Sequence, residues 1–379
     1  MNQLLSIDWL QVWGHNLDYS LWSDYPNISG AIYRATLTST HPGSFRKLWK
    51  ICLKSTGKKV AEVMTEPNLS TLASNMFVLK LENFVLYQDG AVSVLGKIVD
   101  DLHLKIMGIT RVDMCVDFQE CAGGRDPQAL LQGIAAGEVS IKGFRKMHLI
   151  QTVSRREVEY VRFGSAESEV HSYIYNKSKE LREVKDKPYI REIWENAGFD
   201  MERDTYRAEI SIKGRGLTAC DIDTGELLKI TWEDFEKIEP IWQAYADKYL
   251  YLLDTTTGKR KRKNMPRVEF LESVCTIRKY LPISISRFID SGRTERICAN
   301  MLIRYMEMQL GAENEAAVYH TAKWLERIAN MKRIWRVEER LDRVLQMEGK
   351  TVEMDILDNY REVSWKKWRK NTEKWIREI

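Results

Sequence analysis

The segment Lys105–Phe118 constrains the fold more than any other stretch. Val112, Met114 and Val116 alternate with Asp113, Cys115 and Asp117. Strand side chains repeat every two residues, so the apolar set faces one way and the acids the other. The pattern predicts a strand that buries Val112, Met114 and Val116 and holds Asp113 and Asp117 together on the opposite face.

Other strands surround it in sequence. Leu5–Trp13 and Phe77–Tyr87 precede it; Lys146–Val153, Glu157–Phe163, Val170–Asn176 and Tyr206–Lys213 follow. Asp126-Pro127 opens a short helix over Asp126–Ala136, because Asp caps well and Pro suits a first helical position. Lys177–Val184 is charged and helix-prone. After residue 230 the period changes. Phe235, Ile238, Trp242, Tyr245, Tyr249 and Leu252 form one stripe of a helix over Trp232–Leu253. From Val268 on, only helical spacing is seen, broken at Pro282, Gly292, Gly311 and Gly349. The expected fold is α+β. A β-rich domain with a largely antiparallel central sheet spans 1–254, with a core at about 5–215 and a helical extension at 230–254. A basic linker follows at 255–267, then an all-helical C-terminal domain at 268–379.

Charge follows the same division. Residues 1–254 carry a net −5 and residues 255–379 a net +9, within a total of +4. A basic half beside a mildly acidic one suits either polyanion binding or a solvated helical surface. The run Lys259-Arg260-Lys261-Arg262-Lys263 concentrates that charge, and its five residues are the DNA-contact candidates. With 44% hydrophobic and 30% charged residues and only 8 Pro, the chain is not a disordered or collagen-like one. Apolar runs are too short for a membrane span. The start lacks a basic region and contains Asp8, so no secretory signal is expected. Cys52, Cys115, Cys121, Cys220, Cys275 and Cys298 are scattered without CxxC spacing, as reduced thiols of a cytoplasmic protein would be.

Three strands hold residues that could do chemistry. Asp113 and Asp117 on one face repel each other, so they call for a cation, a proton or solvent. They are either a platform for Mg²⁺ or Mn²⁺, which prefer carboxylate oxygens, or two solvent-facing acids. His171, Tyr173, Tyr175 and Lys177 share a face of Val170–Lys177. That face is either a polar cleft wall with a tyrosine nucleophile or an aromatic stripe packed on a sheet. Arg207, Glu209 and Ser211 share a face of the last strand. Glu209 either completes a carboxylate cluster with Asp113 and Asp117 or pairs with Arg207 or a cross-strand residue. No GxxxxGK[ST], GxSxG or HExxH is present, and no His-hydrophobic-His pair occurs. P-loop ATPases and two-histidine nickases are thereby set aside.

Taken in order, these elements resemble a known family pattern. They are Ser6-Ile7-Asp8-Trp9-Leu10, Thr110-Arg111-Val112-Asp113-Met114-Cys115-Val116-Asp117, Val161-Arg162-Phe163-Gly164-Ser165, Tyr173-Ile174-Tyr175-Asn176-Lys177 and Tyr206-Arg207-Ala208-Glu209. The pattern is similar to that of the replication initiation factor family. Its members start rolling-circle replication of plasmids and filamentous phages or act as relaxases of conjugative elements. The match covers roughly residues 5–215.

The resemblance implies a metal-dependent DNA strand nickase and ligase working through a 5′-phosphotyrosine. It places Tyr175 as nucleophile, with Tyr173 as its rival on the same face and Lys177 beside them. Asp113, Asp117 and Glu209 would hold Mg²⁺ or Mn²⁺, joined by Asp8. Asn176 stands where relatives often carry an acid. The implied partner is origin DNA, single-stranded at the nick with flanking duplex. A host helicase and a second copy of the chain are further candidate partners. Two other readings stay open: a non-enzymatic DNA-binding regulator, and a metal-dependent nuclease that uses water.

Overall fold

In the computed structural model the chain divides into two units, Met1–Ile285 and Ser286–Ile379. The structure describes residues 2–18, 22, 27–40, 43–69, 72–152, 157–165, 167–222, 226–259, 262–283 and 321. The helical tail expected beyond 283 therefore lies outside the described residues, apart from Thr321.

The first unit is β-rich, with a large antiparallel sheet and a few helices, consistent with the α+β class. In chain order its elements are β1 (Gln3–Asn16), β2 (Asn27–Ser29), β3 (Tyr33–Thr40), β4 (Phe45–Leu53), β5 (Lys59–Pro67) and β6 (Met76–Leu81). Then come α1 (Asn83–Leu86), α2 (Ala91–Asp101), β7 (Leu104–Phe118), α3 (Pro127–Ala136), β8 (Val139–Ile141), β9 (Met147–Gln151), β10 (Val158–Phe163) and β11 (Val170–Asn176). They are followed by α4 (Lys177–Glu183), α5 (Pro188–Asn196), β12 (Tyr206–Lys213), β13 (Thr218–Asp221), β14 (Leu227–Lys229), α6 (Ile238–Tyr249), β15 (Leu252–Asp254), β16 (Arg267–Val268) and β17 (Tyr280–Pro282).

Eleven strands form one sheet in the order β2-β3-β4-β5-β6-β1-β7-β12-β11-β10-β9. Every pairing recorded in it is antiparallel. The long strands β1 and β7 pair along nearly their whole length at its centre. Beneath one face, Val112, Met114 and Val116 join Leu10, Val12, Ala208, Ile210, Ile212 and Ile174 in the main core. Leu95 and Ile98 of α2, Leu130 and Ile134 of α3, and Trp242 and Tyr245 of α6 close that core. The helix at α3 begins as expected: Asp126 accepts from the Ala129 amide at 2.8 Å, and Gly137 ends it at φ 78°. A smaller cluster of Leu181, Ile190, Trp194 and Phe199 lies apart and packs with Leu4 and Tyr87.

Several expected bounds move. Phe77–Tyr87 is not one strand: β6 stops at Leu81 and Asn83–Leu86 turns helical. Four strands between Asn27 and Pro67 had no counterpart in the sequence reading. The helix expected over Trp232–Leu253 ends at Tyr249. Leu252 and Leu253 instead pair with Ile141 and Ser140 of β8. The expected division at 254 and the linker at 255–267 fall inside one unit, because β15 returns through that segment to pair with β16. Tyr280–Pro282 is a strand paired with β13, not helix. Of the basic run, Lys259 and Lys263 are exposed; Arg260, Lys261 and the Arg262 side chain lie outside the described residues. Among the described residues no helix is long and apolar enough to cross a membrane. Cys52, Cys115, Cys121, Cys220 and Cys275 are free thiols.

Candidate active site on the polar face of the central sheet

Register builds the site. Across β7, β12 and β11, Asp113 is opposite Ser211 and Ser211 opposite His171. The next row runs Cys115, Glu209, Tyr173, and on to Arg162 in β10. The row after it runs Asp117, Arg207, Tyr175, Tyr160. The residues singled out on three separate strands therefore share one face of adjacent strands. Near its β10 side this face opens into a cleft of about 350 Å³, lined by Tyr160, Tyr173, Tyr175, Glu209, Lys179 and Ile150 among others.

Tyr175 sits at the base of that cleft. Its hydroxyl donates to Glu209 Oε2 at 3.1 Å and accepts from Lys177 Nζ at 3.4 Å. Lys177 is buried and anchored to Glu180 Oε2 at 2.7 Å. Burial, then the Glu209 charge, pushes the Tyr175 hydroxyl well above its ordinary pKa, while Arg207 acts the other way. Such a hydroxyl is neutral at rest and needs a proton acceptor before it can attack. Glu209 fits that role. Burial, then the neighbouring Asp113 and Asp8 charges, pushes its carboxyl up to about 8 against the pull of Arg207 and Lys177. A carboxylate of that basicity is a better proton acceptor near neutral pH than an ordinary one. Tyr173, the rival, packs its ring against Tyr160 and His171 at 5.5 and 5.1 Å between centroids. It is raised by burial and by Glu209 and Asp113.

Asn176 has a local task. Its Oδ1 accepts from the Lys179 amide at 2.8 Å and caps α4, and its Nδ2 donates to Asp204 at 2.7 Å. An amide can do both, so its difference from an acid has a structural reason here.

The four carboxylates expected around a metal do not converge. Among the described residues no three Asp, Glu, His or Cys side chains form a metal-ligating group. Asp117 gives both oxygens to Arg207, at 2.6 Å from Nε and 2.8 Å from Nη2, and also accepts from Trp194 Nε1 at 2.8 Å. Asp113 gives both of its oxygens to Arg111, at 2.9 and 2.5 Å. Asp8 Oδ1 accepts from Arg207 Nη1 at 2.8 Å and from the Tyr87 hydroxyl at 2.6 Å. Glu209 turns to Tyr175. A divalent ion needs several oxygens aimed at one point, and these are aimed at separate protein donors. The set does not fit a metal in this arrangement. Cys115, between the two acids, is a buried thiol pushed well up by its burial and is no nucleophile.

Arg207, Arg111, Trp194 and Tyr87 are the site residues that sequence reasoning passed over. Spacing along the strand offers Arg207 only as a partner for Glu209, two residues away. Its actual partner is across the sheet at Asp117, and the signal for it was the register of the two motifs.

No family model matches the chain, and no curated protein matches its sequence. Among solved structures, a rolling circle replication initiator protein from Geobacillus stearothermophilus is similar over 71% of this chain and 93% of its own, with 12% sequence identity and a TM-score of 0.42.

Proposed function

We propose that this protein nicks and rejoins single DNA strands through Tyr175. The observation that carries the reading is the Tyr175 hydroxyl set between Glu209 and Lys177 on the polar face of the central sheet. The order of motifs that resembles the replication initiation factor family agrees with it.

The chemistry needs only groups in the chain and the substrate. Tyr175 Oη attacks the phosphorus of a phosphodiester in line, and its proton passes to Glu209 Oε2. The new P–Oη bond forms as the P–O3′ bond breaks. The 3′ oxygen leaves and takes up a proton from solvent, to which Glu209 releases the one it received, giving a free 3′-OH. Lys177, held by Glu180, steadies the charge on the tyrosyl oxygen. The phosphotyrosine conserves the phosphodiester bond energy, so reversal by a 3′-OH rejoins the strand, with the proton returning to Tyr175. Origin DNA is the substrate class, and initiation of replication or mobilisation of an element is the role.

The test uses single-stranded oligonucleotides tiling the DNA that flanks the gene, resolved on a denaturing gel with and without Mn²⁺. The expected result is a protein–DNA adduct that Tyr175→Phe abolishes, with DNA retention unchanged, and that Tyr173→Phe preserves. Adduct from Tyr175→Phe but not Tyr173→Phe would move the nucleophile by two residues. Free nicks without adduct would make the protein a water-using nuclease. Retention without cleavage would make it a DNA-binding regulator.

A further inference from the structure

The ion cluster beside Tyr175 has a composition that strand alternation does not produce. Arg207 is fully buried, and Nε, Nη1 and Nη2 all hold carboxylate oxygens. Asp117 is equally buried and is clamped from the other side by Trp194 of α5. Asp8 reaches the cluster because β1 carries a bulge there: Ile7 pairs with Met114 and Trp9 with Asp113, leaving Asp8 as the extra residue. Ile7 stays in the core, while Trp9 lies under the Arg111 guanidinium on the polar face, 4.7 Å from ring to guanidinium. The bulge thus sends two successive side chains, Asp8 and Trp9, to the site.

Two carboxylates around one permanently charged guanidinium leave the cluster with one negative charge in excess. Arg207 also lies directly across from Tyr175 in the β11–β12 register. We propose that Arg207, clamped by Asp117 and Asp8, is the resident cation of this site, occupying the electrostatic place that the sequence reading gave to a divalent ion. This rests on Tyr175 as the attacking group. Arg207 is a positioning residue: it touches no substrate, it orders the two acids, and it supplies fixed positive charge through the sheet to the Tyr175–Glu209 pair. Lys177 adds to that charge, and Asp113 and Asp8 oppose it at Glu209.

Mn²⁺ titration calorimetry on the full chain tests this apart from any nicking. Wild type is expected to show no Mn²⁺ binding that depends on Asp117 or Asp8. Arg207→Met, which frees both carboxylates beside Glu209, is expected to gain Mn²⁺ binding that the double change Arg207→Met/Asp117→Asn removes again. Saturable Mn²⁺ binding by wild type that weakens at least tenfold in Asp117→Asn or Asp8→Asn would overturn the proposal, whatever the fate of Arg207→Met. Adduct formation adds a second readout. A chelator should leave the wild-type yield unchanged. Arg207→Met should move the rising limb of its pH profile upward by about one unit or more, and Arg207→Lys should restore most of that shift. An unmoved profile in a folded Arg207→Met protein would refute the electrostatic role. Absence of adduct from wild type under every condition would sink the Tyr175 reading while the Mn²⁺ titration still decided the clamp.

Discussion

Glu209→Gln is the most informative single change, because burial and neighbouring charge make the ionised carboxyl a liability in the fold. In the folded protein Glu209 releases its proton only at about pH 8, against 4.5 for an ordinary glutamate. Between those values the native state holds a proton that the unfolded chain has lost, so stability falls as pH rises. The contribution is fully present below 4.5 and gone above 8. At roughly 1.4 kcal/mol per unit, the shift corresponds to a ceiling of about 5 kcal/mol, of which roughly half separates pH 6 from pH 9. Glutamine keeps the shape and loses the titration. Urea melts of both proteins at about pH 6 and pH 9 should therefore show the variant gaining on wild type by roughly 2–3 kcal/mol at the higher pH. The same variant should lose adduct formation at both values, since an amide cannot take the Tyr175 proton. Wild-type adduct formation should rise with pH and level off above about 8, following the ionised fraction of Glu209. A stability difference that stays constant between the two pH values would refute the raised carboxyl and, with it, the proton-acceptor assignment.

Three further outcomes follow from the same face. Asp117→Asn should destabilise by about 3–5 kcal/mol in urea melts, because it leaves the buried Arg207 guanidinium half unpaired. Asp113→Asn should be near neutral or stabilising, since burial raises the Asp113 carboxyl despite its pairing with the part-exposed Arg111; equal losses from the two changes would contradict the asymmetry. His171 should titrate at about 4 rather than 6.5 in an NMR pH series, lowered by burial and by Arg111, Lys213 and Arg162, so its contribution to stability is present above 6.5 and lost as pH falls through 4. An ordinary histidine midpoint would show that this end of the face is open to water.

Alternation alone was enough to place Val112, Met114 and Val116 in the core and to put Asp113 and Asp117 on one face, and it did the same for Tyr173 and Tyr175. Asp126-Pro127 is legible as a helix start, because capping is a local interaction. The four strands between Asn27 and Pro67 were not, since their burial depends on pairing that sequence spacing does not announce. The same holds for Leu252 and Leu253, whose place in the expected helix is outweighed by ladder bonds to β8.

The site shows where such reading stops. Two acids on one strand face call for a cation, a proton or solvent, and which of these answers them is not recoverable from spacing. Arg207 is 90 residues from Asp117 and 199 from Asp8, and the three meet only because β12 and β1 flank β7 on opposite sides. Simple alternation along β1 assigns Asp8 and Trp9 to opposite faces, and the bulge removes that constraint. A guanidinium also answers the acids in a way a metal does not. It holds Asp117 through a flat pair of hydrogen bonds and Asp8 through a third, needs no loading, and cannot leave. Asp8, Asp113 and Asp117 are each bound to an arginine, whereas Glu209 is bonded to the Tyr175 hydroxyl.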